Sequence, residues 1–214
     1  MPDLMDFHSK VLSVRIEPVQ QRSAERVTSL LDAAAALIDE HGINGLTTSE
    51  VASRSGSSVG VVYRYYPNIQ SLLRALASRN MDRFTARVLV IMSDKPGRWL
   101  NALDNTIDAY VELNRTEPGF RLLGFGDVID NRFIEPDRSN NGVLAAAFTE
   151  LLTTHYGVTA SPELTFDIEV IIEVADAMLK RAFLYDTNGD DRFISRLRIL
   201  AVDLMGKHDT DGTA

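Results

Sequence analysis

Apolar residues in this chain recur every three to four positions almost throughout. From Arg22 to Glu40 the residues Val27, Leu30, Leu31, Ala34, Leu37 and Ile38 fall on one face of a predicted helix. His41-Gly42 ends that helix, and a turn through Asn44 and Gly45 leads to Thr47, which has capping-box spacing to Glu50. A second, short helix is expected through Val51 and Ala52 to about Ser55, with Gly56 as the turn. Ser58 is a good N-cap for a third helix, which Pro67 limits by disfavouring helical geometry at Tyr66. Met1 to Gln21 has no clean period, is broken further at Pro18, and reads as a flexible arm.

Beyond the third helix the period stays helical. A long helix is expected from Asn68 to Ser93, with Leu72, Leu73, Leu76, Met81, Phe84 and Val88 on its apolar face. Trp99 to Arg115 forms the next, and a shorter, glycine-interrupted helix is expected from Phe120 to about Asp130. After a polar loop, helices run from Gly142 to Tyr156, from Ser161-Pro162-Glu163 to Tyr185, and from Asp191 to Met205. Serine as cap and proline at the first helical position make Ser161-Pro162 a strong start signal. No segment alternates like a half-buried strand, and no internal repeat appears. The expected fold is all-α: an N-terminal three-helix helix-turn-helix domain and a larger C-terminal helical domain. The expected boundaries are an arm over 1–21, a helix-turn-helix domain over 22–67, a helical domain over 68–207 and a tail over 208–214.

Composition narrows the function classes. With 214 residues, 45% of them hydrophobic and 24% charged, the chain is long enough for a core that needs no staples. It has no cysteine, which excludes disulfides, thiolate zinc sites and cysteine nucleophiles, and points to a cytoplasmic setting. There is no apolar run of the roughly 18–20 residues a membrane span needs, and Met1 to Lys10 lacks a signal-peptide core. The net charge of −8 argues against nucleic acid when taken alone. A small DNA-binding module fused to an acidic domain has the same net sign, so clustering matters more. Lys10, Arg15, Arg22 and Arg26 lie near the start and Arg54 and Arg64 flank the third helix, offset by Asp32, Asp39, Glu40 and Glu50.

Two short helices around a glycine turn, the second abruptly stopped, have the helix-turn-helix layout, whose second helix enters the major groove. Ser57, Ser58, Val59, Gly60 and Val61 are small enough for that helix to sit deep. Ser58 can bond a base or phosphate, and Val59 or Val61 can touch a thymine methyl. Tyr63, Arg64 and Tyr65 lie one turn on, where hydroxyl and guanidinium groups reach phosphates. Thr47 and Thr48 offer hydroxyls and free N–H groups at the start of the preceding helix. A plain helical hairpin would instead carry an apolar stripe and a charged outer face.

The string Ala33-Ala34-Ala35-Ala36-Leu37-Ile38, His41-Gly42, Leu46-Thr47-Thr48, Val51-Ala52, Ser55-Gly56, Ser58, Gly60, Val62-Tyr63-Arg64-Tyr65-Tyr66-Pro67-Asn68 and Leu72-Leu73 resembles the DNA-binding domain of the TetR repressor family. The resemblance spans Arg26 to Leu73 without gaps, about a quarter of the chain. It implies a dimeric, ligand-responsive repressor that binds double-stranded operator DNA and is released by a small-molecule effector. DNA contacts are then expected from Thr47, Thr48, Ser57, Ser58, Val59, Gly60, Val61, Tyr63, Arg64, Tyr65 and Asn68, while Val62 and Tyr66 pack the core. Tyr65 stands where the family often has histidine. Ile69 stands where it usually places a phosphate-binding lysine, which predicts weaker or arm-dependent binding, with Arg15, Arg22 and Arg26 as candidates to compensate.

The helix from Leu164 to Tyr185 is apolar nearly all round, and the last helix has a similar surplus through Phe193, Ile194, Leu197, Ile199, Leu200, Val202 and Leu204. Two such helices from each of two copies can form a four-helix interface about a two-fold axis. The resemblance further implies a mostly apolar cavity in the larger domain, with Trp99, Leu103, Tyr110, Phe120, Phe125, Phe148 and Met178 as candidate lining. Gly124 and Gly126 suggest a kink that couples such a pocket to the DNA-binding domain. Other signals fall away. Asp186, Asn188 and Asp190 begin like a calcium loop, but Gly189 is misplaced and Leu197 stands where a glutamate must close it. His8, His41, His155 and His208 suggest no shared metal site, and no cofactor is expected. Asp127, Asp130 and Glu173 have no nucleophile–base partner that would indicate an enzyme. The competing reading is a helical dimer of the same fold that acts through protein contacts without specific DNA binding.

Overall fold

Among the described residues the first helix starts inside the segment expected to be an arm. In the computed structural model α1 spans Pro18–His41, with proline in the first turn, where its missing N–H has no intrahelical partner and its fixed φ suits a helix. The structure describes residues 18–93, 97–123 and 140–208. Lys10, Arg15, Gly124, Phe125, Gly126, Asp127 and Asp130, and the tail after His208, lie outside the described residues, so the proposed kink and the arm cations do as well.

Among the described residues seven further α-helices follow: α2 (Thr48–Arg54), α3 (Val59–Tyr65), α4 (Ile69–Ser93), α5 (Trp99–Thr116), α6 (Asn140–Tyr156), α7 (Pro162–Phe183) and α8 (Asp191–Met205). No strand occurs among the described residues, and no helix there is long and apolar enough to cross a membrane. Local chemistry sets most of the starts. Ser161 Oγ accepts the Leu164 N–H at 3.0 Å ahead of Pro162, and Asn68 Oδ1 accepts the Ser71 N–H at 2.8 Å at the start of α4. Asp190 caps α8 and is gripped by the Arg192 side chain, which holds its carboxyl down at about 2.

The apolar faces close into two cores. Leu30, Ile38, Val51, Val62, Tyr66 and Leu72 belong to an N-terminal core made by α1 to α3 and the first half of α4. Phe84, Met92, Trp99, Tyr110, Ile168, Leu179 and Met205 belong to a second core, made by the rest of α4 with α5 to α8. Each fully enclosed leucine contributes about 1.5–3 kcal/mol. α4 therefore runs through both cores, with Leu72, Leu73 and Leu76 in the first and Phe84, Val88 and Met92 in the second. Between them sits Asn80, 0% exposed, whose side-chain amide has no hydrogen-bond partner among the described residues.

A second connection joins the halves. Residues 117–123 form turns, where a helix was expected from Phe120 onward. A Cβ at Gly119, whose φ is +72°, would lie 3.1 Å from Ala35 Cα of α1. The Gly119 N–H and the Arg121 guanidinium both reach Asp39 Oδ1, each at 3.4 Å. Leu123 enters the N-terminal core while Phe120 enters the other. Arg79 of α4 adds a 2.6 Å bridge to Asp32 of α1, and Arg83 pairs with Glu117.

Candidate nucleic-acid interface and internal cavity

The turn between α2 and α3 is closed by two backbone bonds. The Ser57 N–H reaches the Ala52 carbonyl at 2.9 Å and the Gly56 N–H the Ser53 carbonyl at 3.3 Å. These are the nested 6→1 and 5→2 bonds of a Schellman ending, which needs a left-handed residue at its centre. Gly56 supplies it, with φ +63°. Ser58 then starts α3, its hydroxyl accepting the Val61 N–H at 3.3 Å. Val62 and Tyr66 turn inward, both buried, and burial pushes the Tyr66 phenol up.

Their burial fixes what faces out. Ser58, Val59, Gly60, Tyr63 and Arg64 are exposed, and Ser57, Val61 and Tyr65 are half-buried. Tyr63 is 52% exposed, and its hydroxyl lies 3.4 Å from Thr48 Oγ1, which joins the start of α2 to the outer edge of α3. Thr47 is the N-cap of α2; it accepts the Glu50 N–H at 3.2 Å and donates its own hydrogen to Glu50 Oε2 at 2.7 Å. Tyr65 leans back, with its hydroxyl 3.2 Å from Ser23 Oγ of α1. Asn68 is exposed, with its side-chain oxygen committed to the α4 cap.

The cations sort differently from their order in the sequence. Arg54 is not free beside the third helix: it grips Glu40 with two bonds, at 2.7 and 2.6 Å. That bonding lowers the Glu40 carboxyl and raises the guanidinium. Arg26 of α1 does reach the turn, its guanidinium donating to Ser57 Oγ at 3.4 Å. Arg64 stands exposed at the far end of α3. Ile69 is half-buried against the N-terminal core, so its loss as a phosphate contact has a packing role in exchange.

The second core is hollow. A cavity of about 90 Å³ lies between α4, α5, α6 and α7, with Met205 of α8 on one side. Trp99, Leu103, Tyr110 and Phe148 line it. Phe120, expected in the lining, stands outside it and packs edge-on against Tyr110 at 5.4 Å. Met178 is also absent from the lining, although half-buried against the same core; the α7 face turned to the cavity carries Ile168, Ile171, Ile172, Ala175, Asp176 and Leu179. That α7 face was missed because an all-round apolar helix does not reveal which side meets a void. The signal present was Asp176, one of two carboxylates, with Glu173, in the otherwise apolar stretch from Ile171 to Leu179. Among the described residues no three potential metal ligands converge.

Comparison with known proteins agrees with both halves. Residues 30–76 match the profile of bacterial regulatory proteins of the tetR family, and residues 97–206 that of the tetracyclin repressor-like C-terminal domain. A TetR-family transcriptional regulator from Streptomyces coelicolor is 34% identical with a TM-score of 0.72, over 85% of this chain and 98% of that one. The HTH-type transcriptional regulator BetI of Burkholderia thailandensis is 36% identical over 81 residues, 36% of this chain and 42% of BetI. The chain thus spans less than half the length of the curated relatives it matches. The fatty acid degradation regulator FadR from Bacillus halodurans, 18% identical, shares the fold with a TM-score of 0.62 over 82% of this chain and 94% of that one.

Proposed function

This chain belongs to the TetR family of transcriptional regulators, and on that footing we propose that it is a ligand-responsive repressor, binding palindromic operator DNA as a homodimer and released by a small molecule. One observation carries the reading: burial of Val62 and Tyr66 leaves Ser58, Val59, Gly60, Tyr63 and Arg64 on the outside of α3. Thr48 sits within hydrogen-bonding reach of Tyr63, and Arg26 reaches the turn before α3. Small residues at the front of the helix meet base edges, while hydroxyl and guanidinium groups behind and beside them meet phosphates. With Ile69 packed inward, Arg26 and Arg64 carry the positive charge on this face.

The homodimer rests on a different surface. Phe166 near the start of α7, Leu184 just past its end, and Ile199, Leu200 and Val202 of α8 are all exposed. A two-fold partner presenting the same strip gains about 25 cal/mol for each Å² of apolar area it covers. Two reading helices then meet half-sites about 34 Å apart.

The release mechanism runs through the two connections between the halves. An effector in the cavity presses on Tyr110, which Phe120 backs on its other side. Phe120 belongs to the turn whose Gly119 and Leu123 lean on α1. Phe84 and Met92 of α4 line the same cavity, and α4 continues into the N-terminal core. An effector that fits better when these elements shift changes the separation of the two reading heads, and it does so only to the extent of its differential affinity for the two arrangements.

Selection from random duplexes tests the proposal. Enrichment of an inverted repeat with half-sites one helical turn or a multiple apart is expected. No enrichment, or binding insensitive to salt, overturns it and leaves a helical dimer acting through protein contacts.

A further inference from the structure

The cavity carries one polar anchor that the fold does not satisfy. Asp176 is the only charged residue among the described residues that line it. Its Oδ2 is held by Lys180 Nζ at 2.9 Å, one helical turn along α7. Its Oδ1 is buried with no hydrogen-bond partner. A buried carboxylate oxygen without a donor is costly, and a bound donor would recover that loss. Of the other polar groups in the lining, Thr106 already donates to the Ala102 carbonyl at 2.7 Å, and Tyr110 and Asn141 add a phenol hydroxyl and a side-chain amide.

Size and charge narrow the ligand further. A cavity of about 90 Å³ holds on the order of six waters, the bulk of a single ring rather than of a long chain. Phe84, Trp99, Tyr110 and Phe148 provide aromatic walls. Asp176 repels a carboxylate brought to the same spot. Because Lys180 already balances Asp176, an ammonium would leave net positive charge in an apolar enclosure. A neutral hydroxyl brings a donor without adding charge.

We propose that the cavity takes an uncharged aromatic ring bearing a hydroxyl group, which donates its hydrogen to Asp176 Oδ1 while the ring packs among Trp99, Tyr110 and Phe148. This rests on the cavity being the effector site. It is tested separately from DNA release, by direct binding.

Phenol, toluene, benzoate and benzylamine are titrated into the full chain by calorimetry, in wild type, Asp176→Leu and Asp176→Asn. In wild type phenol binds on the order of tenfold tighter than toluene or more, with benzoate and benzylamine weaker than phenol. Asp176→Leu removes the phenol preference and keeps toluene binding. Asp176→Asn, which keeps the shape and an acceptor oxygen, reduces the preference less and serves as the test if the leucine variant does not fold. Equal binding of phenol and toluene, a preference that survives in both variants, tighter benzoate or benzylamine, or no binding of any ring overturns the proposal. Phenol binding that depends on Asp176 but leaves the selected duplex bound would refute the effector reading of the cavity while the ligand assignment stands.

Discussion

In the N-terminal core Leu30, Ile38, Val51, Val62 and Leu72 are completely enclosed by their neighbours, whereas the C-terminal core sets similar residues around a cavity of about 90 Å³. Protein interiors pack as densely as organic crystals, so a hole of this size forgoes on the order of 2 kcal/mol. The difference matches the roles proposed for the two halves. A reading head must hold its outward residues in one arrangement, and α2 and α3, at seven residues each, are held by the core and by their caps rather than by their own hydrogen bonds. A sensor needs room, and it needs walls that also belong to the rest of the molecule.

The largest expected effect comes from the contrast itself. Leu72→Ala, in the filled core, should cost about 2–5 kcal/mol in denaturant unfolding. Leu103→Ala, on a wall that already borders a void, should cost less than half as much. Equal losses would mean that the second core is as tightly filled as the first. Next comes the junction. Gly119→Ala forces a left-handed backbone and a Cβ 3.1 Å from Ala35 Cα, with an expected cost of about 1–3 kcal/mol. If the 117–123 turn transmits occupancy of the cavity, this variant should also blunt release of DNA by an effector. A stability loss with release unchanged would assign transmission to α4 alone.

A comparable effect is expected at the last described residues, where Lys207 and His208 meet Asp167. Burial opposes ionisation of Asp167, but hydrogen bonds from His208 at 2.5 Å and Lys207 at 2.9 Å outweigh it, so its carboxyl is held below the usual range. A lowered carboxylate adds stability that is present above its unfolded value and is lost as the pH falls through the folded one. Asp167→Asn should therefore cost about 1–3 kcal/mol near neutral pH, and the gap from wild type should close below about pH 4. A gap that does not change with pH would show that the carboxylate charge is not what matters. The smallest effect belongs to Gly56→Ala. Nothing lies within 4 Å of a Cβ there, so only the left-handed φ is penalised, by about 1–2 kcal/mol. A larger loss of DNA affinity than of stability would locate its role in aiming α3.

Features determined within a few residues of sequence were legible in advance. The Ser58 and Ser161 caps and the Gly56 turn each depend on neighbours one helical turn away or less, whereas the inward Val62 and Tyr66 were legible through the family resemblance. What depended on distant partners was not. That Glu40 offsets the nearby cations was legible, but that it holds Arg54 in particular was not, because the two lie on different helices. Pro18 looked like a break because proline both ends and begins helices. Phe120 and Met178 are apolar residues of the same core that border the cavity's walls rather than its space. Side-chain type predicts burial, but it does not say whether the neighbour is an atom or a void.

Binding of the selected duplex as a function of salt tests the central claim most directly, with wild type, Arg64→Ala and Tyr63→Ala compared. If α3 lies in the groove of a two-fold site, the logarithm of the binding constant falls linearly with that of salt. Arg64→Ala should reduce the slope by about 2, one contact from each protomer, while Tyr63→Ala weakens binding at every salt concentration without changing the slope. A flat salt response, or affinity and slope unchanged in both variants, would contradict the placement of this face on DNA.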